Sequence, residues 1–180
     1  MSKVAVLLAN GCEEIEAVTI IDVLRRGGVE VVAAALEGDS ARGSHDIRIG
    51  ADAKLDDLSV DELDAVVLPG GLPGAEKLRD DNRVKKLLQA LAGKQKLVAA
   101  ICAAPIALDA AGVIDGRRAT SYPGHELPDA EYSHERVVED EFLVTSRAPG
   151  TALEFSLALV RRLVGHEKAT ELRHEMLVRL

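Results

Sequence analysis

Lys96-Leu-Val-Ala-Ala-Ile-Cys-Ala-Ala-Pro-Ile106 is the stretch on which the reading of this chain turns. Leu97 to Ile101 is apolar throughout, as in a strand buried on both faces, and it gives way at Cys102 to a small, proline-marked helix start. A strand that ends on a nucleophile and passes straight into a helix forces that residue into a tight elbow. Its side chain is lifted above the sheet, with helix amides beneath it. Such amides favour a thiolate, and a thiol pKa of about 8.5 falls to roughly 3.5–7.5 in such places. The plain alternative is a small core residue, because free cysteine is among the most buried residue types. The rest of the chain has to decide between the two.

Outward from this stretch, short apolar runs alternate with longer segments of helical period. Strands are expected at about 3–9, 29–36, 65–68, 97–101, 119–121 and 142–145. Helices are expected at about 13–26, 74–92, 104–111, 151–164 and 167–179; in the first of them Ile15, Val18, Ile21, Asp22 and Leu24 recur at helical spacing and Gly27-Gly28 follows as a stop. The pattern predicts an α/β fold, a parallel sheet with helices on both faces. Asp46-Ile47-Arg48-Ile49 suggests a short exposed ribbon within 44–52, and 135–141 suggests another. In open α/β sheets ligands bind beyond the carboxyl ends of the strands. The loops there hold Asn10 to Glu16, Pro69 to Gly74, Cys102 to Pro105, Tyr122 to His125 and Ser146 to Thr151. Their convergence on one edge favours the reactive reading of Cys102.

Composition narrows the function. The 180 residues read as one domain spanning 1–180. Lys and Arg number 22 against 30 Asp and Glu, a net charge of −8 with no basic block, which argues against nucleic acid as a primary partner. The N-terminal apolar run is too short for a secretory signal, and nothing approaches the ~20 apolar residues of a membrane span, so a cytoplasmic protein with no membrane partner is expected. A reducing compartment argues against a Cys12–Cys102 disulfide, and no Cys/His cluster has zinc-ligand spacing. Neither a phosphate loop nor a dinucleotide fingerprint occurs, and no cofactor is implied.

On the edge, Glu16 matters through its protonation state. An ionised carboxylate beside Cys102 raises the thiol pKa, whereas a desolvated, neutral carboxyl can donate to the thiolate and lower it. Glu13 and Glu14 read as ordinary exposed acids at a helix start. Gly70 and Gly71 allow close backbone approach, and the amides of Gly71 and Ala103 could hold a developing oxyanion.

Glu13-Glu-Ile-Glu16, Val66-Val-Leu-Pro-Gly-Gly71, Ala99-Ala-Ile-Cys-Ala-Ala-Pro105 and Thr145-Ser-Arg-Ala-Pro-Gly-Thr151 resemble, in order and spacing, the ThiJ/PfpI superfamily. More narrowly they resemble the branch of the parkinsonism-associated protein deglycase and bacterial YajL-like proteins. The resemblance runs across nearly the whole chain. It implies a flavodoxin-like sandwich, a homodimer with a contact near Ile15, Val18 and the 44–52 ribbon, a reactive Cys102, a protonated Glu16 and an oxyanion site at Gly71 and Ala103. Gly70, Tyr122, Arg26 and Arg147 fall in the implied substrate pocket. Departures shape the chemistry. Protease-like members place a histidine directly after the nucleophile, where this chain has Ala103, so a peptidase dyad has no support. Tyr122 stands where several relatives carry histidine, and His45 replaces a basic residue of the family's anion pocket. His125, on an exposed loop, and Cys12 read as bystanders.

Two functions follow. One is a glutathione-independent glyoxalase or deglycase acting on methylglyoxal and related 2-oxoaldehydes, or on their early adducts, through a Cys102 thiolate. The other is a redox-responsive stress protein or chaperone with Cys102 as its sensor. Turnover separates them.

Overall fold

The computed structural model describes residues 1–179. In chain order the elements are β1 (Lys3–Leu8), α1 (Glu14–Arg26), β2 (Glu30–Ala35), β3 (Ser40–Arg42), β4 (Arg48–Gly50), β5 (Ala53–Lys54), β6 (Ala65–Leu68), α2 (Gly74–Asp80), α3 (Asn82–Gly93), β7 (Leu97–Ile101), α4 (Pro105–Ala110), β8 (Arg118–Ala119), β9 (Glu131–Tyr132), β10 (Val137–Asp140), β11 (Leu143–Ser146), α5 (Ala152–Leu163) and α6 (His166–Glu175). The main sheet has seven strands in the order β10-β11-β7-β6-β1-β2-β5, all parallel except β10.

Because successive strand residues face opposite sides, the sheet feeds two cores. Val4, Val6, Val67, Ala99 and Ile101 pack with Ile20 and Leu24 of α1, Phe155 and Val160 of α5 and Leu172 of α6. Ala5, Leu7, Val66, Leu68, Val98 and Ala100 pack on the other face with Leu78 of α2, Leu88 and Leu91 of α3 and Leu108 of α4. This is the flavodoxin-like sandwich expected from the sequence. Strand order reverses between β1 and β6, so the loops after β1, β6 and β7 meet in the crevice beyond their carboxyl ends.

Three local expectations are corrected. The helix read as 74–92 is two helices, because Asp81 leaves helical geometry and its side chain accepts from Arg83 N at 2.8 Å, capping α3 afresh. The strand read as 119–121 is the short β8, which pairs with β9 outside the main sheet. The segment 135–141, read as a separate ribbon, supplies β10, the antiparallel edge strand against β11. The ribbon within 44–52 does form, as β4, with β3 as a partner that the alternation alone did not indicate.

Candidate active site

Cys102 sits at the end of β7 with φ of +64°, in the left-handed region that non-glycine residues avoid at a cost of roughly 1–2 kcal/mol. Two main-chain bonds hold it there. Its N–H donates to Ser146 O at 3.0 Å, and its carbonyl accepts from Tyr122 N at 2.8 Å. The chain then turns through Ala103 and Ala104 into α4, so the amide of Ala103 lies beside the sulfur, as does that of Gly71 from the neighbouring loop. Cys102 is buried, with 8% of its surface exposed.

Glycine is required in the facing loop. A Cβ on Gly70 would lie 2.6 Å from Cys102 Cβ and 2.8 Å from Glu16 Oε2. Gly71 has φ of +88°, and a Cβ there would strike the main chain of Cys12 and Glu13. The absence of side chains thus brings the β6 loop against both Cys102 and Glu16.

Glu16, on the first turn of α1, has no exposed surface. Its Oε2 accepts from Gly70 N at 2.7 Å, while Oε1 is buried with no hydrogen-bond partner among the described residues. Burial pushes this carboxyl up to about 7, against the opposing effects of Gly70 N–H and the Cys102 thiol. On the other side, burial first and the ionised Glu16 second push the Cys102 thiol up to about 12, with the amides of Ala103 and Gly71 pulling downward. The low thiol pKa expected from the elbow is therefore not a property of Cys102 alone. Carboxylate with thiol, or carboxylic acid with thiolate, carries the same single charge. Moving the proton from sulfur to Glu16 adds no net buried charge, and it gives the partnerless Oε1 a proton to donate to the sulfur.

Glu13 and Glu14 are buried, not exposed as the sequence reading had them. Glu13 caps α1, accepting from Ile15 N at 3.3 Å. Glu14 turns the other way, into the β3–β4 ribbon, where it accepts from His45 N at 2.7 Å, Ile47 N at 3.3 Å and Ser44 Oγ at 3.4 Å, with His45 Nδ1 at 3.0 Å. Gly43 passes over this carboxylate with no room for a Cβ. Burial opposes ionisation of Glu14, but the His45 ring and the amides of His45 and Ile47 outweigh it and hold the carboxyl at about 2. Glu13, Glu14 and His45 lie close enough to share a cation, yet hydrogen bonds within the fold already occupy these carboxylates.

The remaining residues divide. Tyr122 is bonded to Cys102 through its main chain, is 44% exposed, and has the His125 ring 6.2 Å away. Arg147 follows Ser146 at the same edge, but its guanidinium donates to two main-chain carbonyls, Ser121 O at 3.3 Å and His134 O at 3.0 Å. Arg26 is at the far end of α1, ten residues and about 15 Å from Glu16, paired with Asp22, so a single chain does not bring it to Cys102. Cys12 is wholly buried and free; burial and then Glu14 push its thiol up to about 11. The Glu14 pocket and the contacts of Ser121 and Tyr132 escaped sequence reading, because both depend on loops folding back over distant elements.

Among the described residues no helix is long and apolar enough to cross a membrane. The DJ-1/PfpI family profile matches residues 2–162. Protein dj-1beta of Drosophila melanogaster is 42% identical over 99% of this chain and 98% of its own length. The crystal structure of Drosophila DJ-1beta superposes with a TM-score of 0.96 over all of both chains at 40% identity. The glutathione-independent glyoxalase DJR-1.2 of Caenorhabditis elegans is 33% identical over 95% of this chain and 93% of its own length. A structure of Toxoplasma gondii DJ-1, described as oxidized, superposes with a TM-score of 0.95 over all of both chains at 36% identity.

Proposed function

The chain belongs to the DJ-1/PfpI family, and on that footing we propose that it converts methylglyoxal and related 2-oxoaldehydes to 2-hydroxy acids without glutathione, through Cys102. The observation that carries this reading is the pairing of a buried carboxyl, one oxygen of which has no hydrogen-bond partner among the described residues, with a thiol on a strained elbow. The C. elegans relative named as a glutathione-independent glyoxalase supports it.

Glu16 takes the thiol proton, and the thiolate adds to the aldehyde carbon. The resulting oxyanion lies against the amides of Gly71 and Ala103 and collects a proton, giving a hemithioacetal. Glu16, again a carboxylate, removes the proton from the former aldehyde carbon and returns it to the adjacent carbon through an enediol, leaving a thioester of the 2-hydroxy acid. Water then cleaves the thioester and restores the thiol. Overall one methylglyoxal and one water give one lactate, with no outside oxidant or reductant. The same steps on an early thiol or amine adduct constitute deglycation. Exposed Ile15, Val18 and Ile47 lie on α1 and the ribbon, and supply an apolar face for a homodimer.

Release of lactate from methylglyoxal without glutathione, by wild type and Cys102→Ala, tests the proposal. Loss of the attacking group is expected to cost orders of magnitude. Residual turnover above about a tenth of wild type removes Cys102 as the nucleophile.

A second reading has its own support: the T. gondii relative is described as oxidized. Peroxide would oxidise the Cys102 thiolate through sulfenic to sulfinic acid, beside a Glu16 proton able to bond the sulfinate. A sensor consumes a fixed amount of oxidant per chain and makes no lactate.

A further inference from the structure

We infer that Arg147 is a positioning residue that clamps the 121–134 loop and so holds Cys102 in its left-handed elbow, and that it is not a binder of substrate anions. A left-handed conformation at a non-glycine residue persists only when its surroundings over-determine it. At Cys102 two bonds do so, one to Ser146 O and one from Tyr122 N.

The Ser146 side is anchored within the fold. Ser146 belongs to β11, and its hydroxyl bonds Arg136 O and Thr151 Oγ1, each at 2.7 Å. The Tyr122 side is different, because residues 120–130 contain neither helix nor strand. What fixes that side is a small network centred on Ser121, the residue before Tyr122. Thr120 N donates to Thr145 Oγ1 at 2.9 Å. Ser121 O accepts from Arg147 Nε and from the Tyr132 hydroxyl, each at 3.3 Å. The Ser121 hydroxyl bonds His125 O and lies 3.2 Å from the Tyr132 hydroxyl.

Arg147 and Thr145 flank Ser146 in sequence, and Arg147 is the one of the two that brings a cation to this network. Its guanidinium reaches Ser121 O and His134 O together, near the start and the end of the loop. A planar cation with several donors can close a loop onto a strand end in this way, where a lysine has a single point of attachment. Both hydrogen bonds go to main-chain carbonyls, a part-buried one at Ser121 and an exposed one at His134, so that Nε and one terminal nitrogen are already engaged and fewer donors are left for an incoming anion. Loosening the clamp frees Ser121, then the Tyr122 N–H, then the Cys102 carbonyl, and the sulfur loses its registry with Glu16.

The kinetic part of this inference rests on the proposed glyoxalase reaction, and the test separates the two. Wild type, Arg147→Lys, Arg147→Met and Tyr132→Phe are compared in methylglyoxal turnover, in hydrogen exchange of the Tyr122 amide by NMR, and in alkylation of Cys102 by iodoacetamide with and without inorganic phosphate. Arg147→Met is expected to lower kcat by up to about 100-fold while KM changes little, as for a displaced catalytic group. It should also speed Tyr122 exchange by roughly tenfold or more, as in local opening. Arg147→Lys should recover part of both losses, and Tyr132→Phe, which keeps the cation, should show a smaller loss of the same kind. Phosphate should not protect Cys102. Unchanged Tyr122 exchange in both Arg147→Met and Tyr132→Phe overturns the clamp. So does phosphate protection of wild type that is lost in Arg147→Met. If wild type makes no lactate while exchange responds as expected, the glyoxalase reading fails and the clamp stands.

Discussion

Glu14 and Glu16 lie two residues apart on the first turn of α1, 5% and 0% exposed, yet one carboxyl is held at about 2 and the other pushed up to about 7. Depth and donors act together: Glu16 lies deeper among protein atoms, so that burial dominates its carboxyl, whereas Glu14 lies nearer the surface beneath the ribbon and its donors outweigh the cost of burial. The Glu14 carboxylate faces two amides, a hydroxyl and an imidazole, all from the ribbon. Glu16 receives one amide and keeps a second oxygen without a hydrogen-bond partner among the described residues, beside the Cys102 thiol and within reach of the Glu13 charge. An amide-rich pocket makes a carboxylate a fixed structural anion, whereas a pocket with too few donors leaves a carboxyl able to hold or release a proton near neutral pH. A single helical turn thus supplies a strut on one side and an acid on the other.

The largest expected effect comes from removing the proton while keeping the shape. Glu16→Gln should lower turnover by about 100-fold or more, the usual worth of a general acid–base group. It should leave the Cys102 pKa closer to wild type than Glu16→Asp, because Gln retains length and a neutral donor whereas Asp is shorter and ionises more readily. The substitution should also change the response of stability to pH. The native Glu16 carboxyl is raised above its ordinary value of 4.5, so its contribution is complete below 4.5 and is lost as pH rises through about 7. Glu16→Gln should therefore melt near wild type at pH 4.5 and gain on it toward pH 8, by up to about 3 kcal/mol. Parallel melting curves at both pH values would remove the raised carboxyl from the account.

Second in size is Glu14→Gln, which tests the strut. It should destabilise the chain by about 1–3 kcal/mol at neutral pH by weakening charge-assisted bonds in a buried pocket. Turnover per folded chain should stay within a few-fold of wild type. The depressed carboxyl contributes above its ordinary value of 4.5 and loses that contribution as pH falls toward 2, so the melting difference from wild type should shrink on acidification. A loss of turnover matching that of Glu16→Gln would mean that the two carboxyls share one role.

The legible part of this molecule was the part with short-range signatures. Leu97–Ile101 and Ala65–Leu68 are strands where their uninterrupted apolar runs predict them, and the step from Ile101 to Cys102 marks the elbow. The errors arose where local pattern was ambiguous. Helical periodicity ran through Asp81 although Asp-Asp-Asn there also reads as a cap, and Val137–Asp140 alternates as a free ribbon does and as a half-covered edge strand does. Glu16 could be placed beside the thiol from loop convergence and family resemblance together. The Glu14 pocket could not, because its donors come from Ser44, His45 and Ile47, some thirty residues away on a ribbon whose path over α1 has no local code. Arg147 was read as a pocket cation for a similar reason: sequence gives its charge, and only the fold shows that two carbonyls engage it.

The smallest expected effect belongs to His45, the exposed side of the strut. Its ring bonds Glu14 and lies near Glu13, and those two carboxylates raise its pKa, the Glu14 hydrogen bond first. For a base the sign is fixed: the stabilisation is fully present below the ordinary value of 6.5 and disappears as pH rises through the higher native value. His45→Gln should therefore melt below wild type at pH 5.5 and converge with it at alkaline pH, while the main-chain amides of His45 and Ile47 keep Glu14 anchored throughout. In a Glu14→Gln background the same substitution should lose most of its pH dependence, since the charge it answers to is gone, and that non-additivity measures the pair directly. A melting gap that stays constant from pH 5.5 to alkaline pH would show the imidazole contributing contact without charge. Glu14 would then owe its ionisation to the backbone amides alone, and the contrast with Glu16 would rest on N–H groups and depth, with no part left for the imidazole charge.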